Sequence, residues 1–447
     1  MKKRDWPGPL FTDLYELTMS AAYFKENIFS DATFSLYIRN DHPHRNYFVA
    51  AGLEYALNAL ENYSFTKTDI DYLESTKLFS KDFLSFLSDF RFSGTVFAMP
   101  EGTVFFENEP LLEITAPIIE AQLLETFLLN TISFSTLIAS KAARNIYAAQ
   151  GRPLIDFSMR RAQGIDAGIK VARSTYIAGF AGTSNVLAGK VFGMPVSGTM
   201  AHSYVTAFNS EYEAFSAYSK IFPETSVFLI DTYDTINGAR IAARVGKEME
   251  KRGDRLFGVR LDSGDMTALS IEVRKILDES GLSCVKIVAS GNFDEYKIAD
   301  AISKGAFIDT FGVGTKVGVS ADAPFQDIVY KMVRFGNRDI KKLSSKKITL
   351  AGKKQVFRKT DNNGRYVEDL ICLRNEKIKN AYPMLDKVMG NGKLLRPNPD
   401  LNKIRERFST NFSLLDEKYK SINEDILYPV KLSCNLNELQ KKWQKNH

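Results

Sequence analysis

Histidine and cysteine are scarce in this chain, with four and three among 447 residues. Cys284, Cys372 and Cys434 are far apart and odd in number, which argues against a disulfide framework and against the usual spacing of a zinc site. No uninterrupted apolar run approaches the roughly 20 residues needed to cross a bilayer. The basic start, MKKRDWPGPLFTDLYELTM, lacks the apolar core of a signal peptide. No G-x-x-x-x-G-K-[ST] occurs, and no G-x-G-x-x-G opens a helix after a strand, so P-loop and dinucleotide fingerprints are both missing. These absences leave a folded protein expected in the cytoplasm, with no membrane partner.

Hydrophobic residues at 44% and charged residues at 25% suit a soluble globular chain, and 447 residues suggest about two structural units. The net charge of +6 favours anionic partners. The longest basic stretch, RDIKKLSSKKITLAGKKQ (338–355), alternates with β-forming residues. It reads as a solvated edge strand or loop rather than a nucleic-acid groove, so small phosphates are expected and nucleic acid is not.

Residues 1–135 mix strand and helix patterns and read as an N-terminal α+β domain. FTDLYELTMSAAYFKEN carries apolar residues at helical spacing with Thr12 or Asp13 as its N-cap, and IIEAQLLETFLLNTISFSTLIASKAARNIYAAQG reads as one or two long buried helices. From 136 to 335 the pattern turns regular. Apolar runs at 154–158, 195–198, 226–231, 256–262, 284–291 and 307–314 alternate with helical segments, among them HSYVTAFNSEYEAFSAYSKIF. Such alternation means βαβ units and a parallel sheet, either a barrel or an open sheet. Residues 336–447 hold strand-like pieces (KKITLAG, KQVFRKT, RYVEDLICLR) and a polar tail, and are expected to pack with the N-terminal domain.

In parallel α/β folds ligands bind where the strands end. Here the unusual polar residues cluster at those ends: Arg160, Arg161 and Gln163; Thr199 and His202; Asp231 and Tyr233; Arg260, Asp262, Ser263, Gly264 and Asp265; Ser290, Gly291 and Asn292; Gly312, Gly314, Thr315 and Lys316. Each alone reads as turn chemistry, a satisfied core histidine or a solvated arginine pair. Their recurrence at successive strand ends points to one rim. Glycine-rich strand–helix junctions seat phosphate oxygens on free N–H groups, and three arginines add bidentate donors. Asp231, Asp262 and Asp265 suit ribose hydroxyls or Mg2+. The residues therefore point to a polyphosphate or sugar-phosphate ligand.

At these positions the chain resembles the nicotinate phosphoribosyltransferases, within the type II phosphoribosyltransferases. The resemblance rests on FTDLYELTM, RRAQG, SNVLAG, GTMAHS, RLDSGD, FGVGTKV and LAGKKQVF, in that order. It implies an incomplete parallel α/β barrel with a second α+β domain. It also implies synthesis of nicotinate mononucleotide and pyrophosphate from nicotinate and phosphoribosyl pyrophosphate, with Mg2+ as cofactor and ATP as co-substrate. By motif, His202 is expected to be phosphorylated, and an imidazole with an unperturbed pKa of about 6.5 is a suitable nucleophile near neutrality. Arg260 and Asp262 are expected beside the phosphoribosyl group. Ser263, Gly264, Gly291, Asn292, Gly312, Gly314 and Thr315 are expected around its phosphates. Tyr15, Phe157, Arg160, Arg161, Ser184 and Thr199 are expected at nicotinate, with Tyr15 entering the site of a partner subunit in a homodimer. Nicotinamide-using relatives carry an aspartate where this chain has Ser184, which favours the acid as substrate. The stretch DFSMRRAQG departs from the family in opening with Asp156-Phe157 rather than Glu-Leu. Alternatives are a nicotinamide or quinolinate phosphoribosyltransferase, or a barrel isomerase or aldolase using Lys286 as a Schiff base.

Overall fold

The computed structural model describes residues 7–39, 42–342 and 349–445. It divides into two compact units, one formed by Lys141–Pro324 and the other by residues up to Ser140 together with those from Phe325 onward.

The first of these is built on six short strands: β1 (Leu154–Asp156), β2 (Gly182–Thr183), β3 (Val227–Leu229), β4 (Gly258–Leu261), β5 (Lys286–Ala289) and β6 (Thr310–Val313). Their spatial order is β2-β1-β6-β5-β4-β3, with every neighbour parallel. Val196 adds one parallel bridge to Thr183 outside β2. Set in a ring, this is chain order, interrupted at one junction: among the described residues no ladder joins the Val196 segment to β3. The sheet is thus an incomplete parallel barrel, as the resemblance implied. The run at 195–198 forms only that bridge, and β2 lies in GFAGTSNVLAG, which has no strand-like apolar run.

Helix starts follow side-chain caps worth about 1 kcal/mol each. Asn185, Asp234 and Asp294 accept from Ala188, Asn237 and Lys297 backbone N–H groups, and Asp265 accepts from Thr267 and Ala268. Asp265 is therefore engaged as a cap rather than free for ribose or Mg2+. The segment after GTMA is two helices, His202–Thr206 and Glu211–Ile221, because the Ser210 hydroxyl accepts from Glu213 N–H and starts a second one.

The other unit holds a seven-stranded antiparallel sheet in the order Arg338–Asp339, Asp327–Phe335, Asp31–Arg39, Pro110–Pro117, Thr95–Ala98, Asp386–Gly390 and Lys393–Leu394. Residues 327–335, expected at the end of the barrel segment, instead pair along Asp31–Arg39, where the Tyr330 ring stacks on Phe34 with centroids 4.7 Å apart. Such an aromatic pair adds about 0.5–1.5 kcal/mol beyond the area it buries and helps fix this strand on Asp31–Arg39. Strands Lys354–Thr360 and Tyr366–Leu373 form a hairpin in a four-stranded sheet of the same unit. Of the strand expected over KKITLAG, residues 346–348 lie outside the described residues and 349–352 have no regular structure. The basic stretch 338–355 lies outside them at 343–348. The segment Ile118–Ala148 is long and apolar enough to cross a membrane, yet 67% of its most apolar window is buried in the fold, as in a core helix.

A buried charge network ties this unit together. Arg358 and Asp369 form a fully buried pair, 2.6 Å apart, and Arg358 also donates to the Val104 carbonyl at 2.8 Å. Glu109 lies beside them, accepting from Phe106 N–H at 2.9 Å. Burial first, then Asp369, holds the Glu109 carboxyl well above its ordinary value of 4.5, against the pull of Arg358. A raised folded-state pKa means the folded protein keeps a proton that the unfolded chain releases. That stabilisation is complete below the ordinary value and fades as pH rises towards the folded pKa. Over that window wild-type stability should fall with pH by up to about 1.4 kcal/mol per unit. Glu109→Gln keeps a neutral side chain and should flatten the slope, read as melting temperature against pH for both proteins. Parallel slopes would remove Glu109 from this role.

Candidate active site

The strand ends of the barrel unit open onto a cleft of about 540 Å3. Each of its walls begins where a strand stops. Phe157 and the single turn Met159–Arg161 follow β1, Ser184 follows β2, and Gly198 to His202 follow the Val196 bridge. Arg260 and Asp262 come from the end of β4, Ser290 to Asn292 from β5, and Gly312, Gly314 and Thr315 from β6. Of the residues expected at the site, Phe157, Arg160, Arg161, Ser184, Thr199, His202, Arg260, Asp262, Gly291, Asn292, Gly312, Gly314 and Thr315 all line it.

Arg260 organises the floor. Its Nη2 donates to the Met200 carbonyl at 2.8 Å and its Nη1 to Ser290 Oγ at 3.2 Å, with Asp262 Oδ1 at 3.5 Å. Ser290 Oγ donates in turn to Asp262 Oδ1. The Nε–H is buried with no partner among the described residues. Burial lowers the guanidinium pKa and Asp262, then Asp231, act to restore it; an arginine stays charged under such conditions. The opposing charges are thus held in a partly desolvated place where electrostatic interactions are strong.

His202 stands on the same cleft. Its Nδ1 lies 3.2 Å from Thr232 Oγ1 and its Nε2 lies 3.9 Å from Asp262 Oδ2. The helix it begins has only five residues, so the dipole contribution is small and the ring is held by neighbours rather than by a long helix.

Two buried carboxylates support the loops. Asp156, fully buried at the end of β1, accepts from Ser158 N–H at 2.9 Å and Thr183 Oγ1 at 2.7 Å, and also from the Ser158 hydroxyl. It thereby joins the turn bearing Arg160 and Arg161 to the strand before Ser184. Asp231 accepts from Asp262 N–H at 3.0 Å and from the Ser263 hydroxyl at 2.6 Å. Ser263 is therefore committed to supporting the loop and does not line the cleft. Nor does Gly264, whose φ of +88° serves the turn itself. Gly291 combines a φ of +105° with a backbone approach so close that a Cβ would meet the Asp262 carbonyl oxygen at 2.3 Å. At Gly312 a Cβ would meet the Phe157 ring at 2.4 Å, so glycine there lets the ring lie against β6.

Gln163, Tyr233 and Lys316 are not among the lining residues, and Lys316 is 4.0 Å from Asp294. Tyr15 belongs to the other unit, on the helix Leu14–Lys25. Burial, with Glu125 next, raises the pKa of its hydroxyl, which makes it a neutral donor. Lys286 begins β5, at the opposite end of the strand from the cleft residues, and pairs with Asp309 at 2.9 Å; a Schiff base there is excluded. Met200, Thr232 and the role of Asp156 escaped the sequence reading. Met200 acts through a main-chain oxygen, which leaves no trace in residue type.

For Mg2+, no group of three His, Cys, Asp or Glu able to hold a metal occurs among the described residues. The donors present fit an ion that keeps its waters and arrives on phosphate oxygens: Asp262 at the cleft, and Asp231 behind it with Oδ1 unpartnered.

The chain matches the model of the "Nicotinate phosphoribosyltransferase (NAPRTase) family" over residues 153–349, that family's N-terminal domain over 10–133 and its C-terminal domain over 377–440. It is 44% identical to a nicotinate phosphoribosyltransferase of Mycobacterium tuberculosis, covering 97% of this chain and 93% of the relative. To that of Bacillus subtilis it is 39% identical, covering 97% and 94%. The crystal structure of human nicotinic acid phosphoribosyltransferase superposes with a TM-score of 0.84 at 28% identity, over 96% of this chain and 99% of that one. With arginines, glycine-rich strand ends and a histidine sharing one barrel mouth, and with matches running almost the whole length, the chain belongs to the nicotinate phosphoribosyltransferase family.

Proposed function

We propose that this protein transfers the phosphoribosyl group of phosphoribosyl pyrophosphate to nicotinate, releasing pyrophosphate and nicotinate mononucleotide for NAD salvage, in the cytoplasm. The observation that carries the reading is the convergence of Arg160, Arg161, Arg260, Gly291, Gly314 and Thr315 on a single cleft. The pyridine nitrogen lone pair forms the bond to the anomeric carbon as the bond to the pyrophosphate oxygen breaks, and the electron pair leaves with pyrophosphate. No proton needs to move, so positioning and electrostatics dominate. Arg260 faces the negative charge gathering on the leaving group, and Asp262 faces the positive charge on the sugar ring. Arg160 or Arg161 pairs with the nicotinate carboxylate beside Phe157 and Thr199. Asp262 and Asp231 would hold Mg2+ with phosphate oxygens, and the ion would neutralise part of the pyrophosphate charge.

ATP enters as a second substrate. A His202 ring nitrogen bonds to the γ-phosphorus as the bridging oxygen leaves with ADP, and later hydrolysis of that N–P bond returns the free imidazole. A dianionic group at this point, among Arg260, Asp262 and the loop 198–202, alters the balance of the cleft and so biases its loops towards tight binding. A homodimer is part of this reading. Tyr15 is 46% exposed beside exposed Leu14 and Met19, an apolar strip that suits burial against a second copy. The decisive assay is formation of nicotinate mononucleotide from nicotinate and phosphoribosyl pyrophosphate, with and without ATP. No product under either condition overturns the proposal.

Ser184 sets the choice of base. It lines the cleft, with its N–H donating to the Asp156 carbonyl at 2.8 Å. Ser184→Asp introduces a carboxylate that repels nicotinate and accepts from an amide. The ratio of kcat/KM for nicotinate over nicotinamide should fall by about tenfold or more, an effect of some 1.4 kcal/mol. An unchanged ratio removes Ser184 from specificity.

A further inference from the structure

A second charged cleft, of about 600 Å3, lies wholly within the unit that carries the antiparallel sheet and shares no residue with the catalytic cleft. Its lining includes Phe97 and Arg334 of the seven-stranded sheet, Gly352 and Lys353, Leu373 and Arg374. Gly352 and Lys353 come from LAGKKQVF, a motif that the catalytic cleft does not use.

The charges there do not balance. Arg334 pairs with Asp339 at 3.0 Å, while Lys354, 3.0 Å away, and Arg374 share the buried carboxylate of Glu113. Lys353 is half-buried and has no ion-pair partner among the described residues. Counting Asp31, which also attracts Lys353, four cations thus meet three carboxylates, an excess of one positive charge. Asp31 and Glu113 attract Lys353 less strongly than burial and the two arginines oppose its charge. The guanidinium of Arg374 is fixed, its carbon 3.7 Å from the centre of the Phe97 ring. Excess charge in a partly desolvated pocket is unfavourable unless an anion completes it. The rim is shaped by glycine: at Gly352 a Cβ would come within 2.9 Å of Leu439 and 3.1 Å of Leu373, and φ is +93°.

We propose that this cleft binds a phosphate monoester, with Lys353 and Arg334 on the phosphate and Phe97, Leu373 and Leu439 against the organic group. A phosphate monoester brings three strong acceptor oxygens to the neighbouring Lys353 and Arg334 donors, where a carboxylate brings two. The non-phosphate walls favour a nucleoside or similar group over inorganic phosphate alone.

The test is equilibrium dialysis of labelled adenosine 5′-monophosphate against the full-length protein, with inorganic phosphate as competitor. Lys353→Gln and Arg334→Gln should each weaken binding by about tenfold or more, since each removes a charge-assisted donor. Arg260→Gln, in the other cleft, should leave this binding unchanged, and excess phosphate should displace the nucleotide. On the unsubstituted protein, the nucleotide should also shield Lys353 from an amine-acylating reagent, which gives a reading should either variant misfold. Binding that survives both variants, disappears in Arg260→Gln, or is undetectable at millimolar nucleotide overturns the proposal. So does acylation of Lys353 unaffected by nucleotide.

Discussion

Arg260→Gln should lower kcat/KM for nicotinate mononucleotide synthesis by about 10²–10³-fold, the loss typical of removing one pre-aimed donor from a charged transition state. Two effects compete in this substitution. The first is structural: the Met200 carbonyl and Ser290 hydroxyl lose a donor, at about 1–3 kcal/mol if left unsatisfied. Glutamine is shorter and neutral but can still donate to one of them, so the stability loss should sit at the low end. The second is electrostatic, and it dominates. Asp262 loses its arginine partner, and the leaving pyrophosphate loses a cation already stripped of part of its water. Arg260→Lys should recover little, because one ammonium cannot span both Met200 and Ser290 while facing a phosphate. Steady-state kinetics together with a melting curve separate the two effects. A variant with near-normal kcat/KM would take Arg260 out of the chemistry.

Replacing His202 by alanine should abolish ATP stimulation and covalent uptake of phosphate from γ-labelled ATP, while ATP-independent synthesis persists at a residual rate. The expectation separates two roles that the shared cleft brings close. If His202 served the sugar chemistry directly, activity without ATP would fall with it. The ring is held by Thr232 on one side and faces Asp262 on the other, and Arg260 keeps its contacts without it. The cleft's charge therefore survives the substitution. Label appearing equally on His202→Ala, or never on the wild type, sinks the phosphohistidine.

The barrel was legible because its strands are short and apolar throughout, and because helices with Asp and Asn caps alternate with them. β2 was not, since Gly182–Thr183 has no pattern of its own and becomes a strand only by lying beside β1. Residues 327–335 were assigned to the barrel on their nearness in sequence. Local alternation cannot say which sheet a strand joins, and here the partner Asp31–Arg39 lies some 300 residues away in the chain.

The same division runs through the site. Arg160, Arg161, His202, Arg260 and the glycines were visible as residues because unusual side chains at strand ends stand out against apolar runs. Ser263 and Asp265 were read as ligands, yet fold contacts with Asp231 and with the next helix consume them. Met200 and Thr232 could not be seen, because their parts depend on where an oxygen ends up and not on what kind of residue carries it. The sequence by itself determined the alternation, the placing of polar groups at strand ends and the kind of ligand they suit. Only the tertiary structure decided which of those groups remain free to meet a ligand, because hydrogen bonds between segments distant in the chain satisfy some and leave others open.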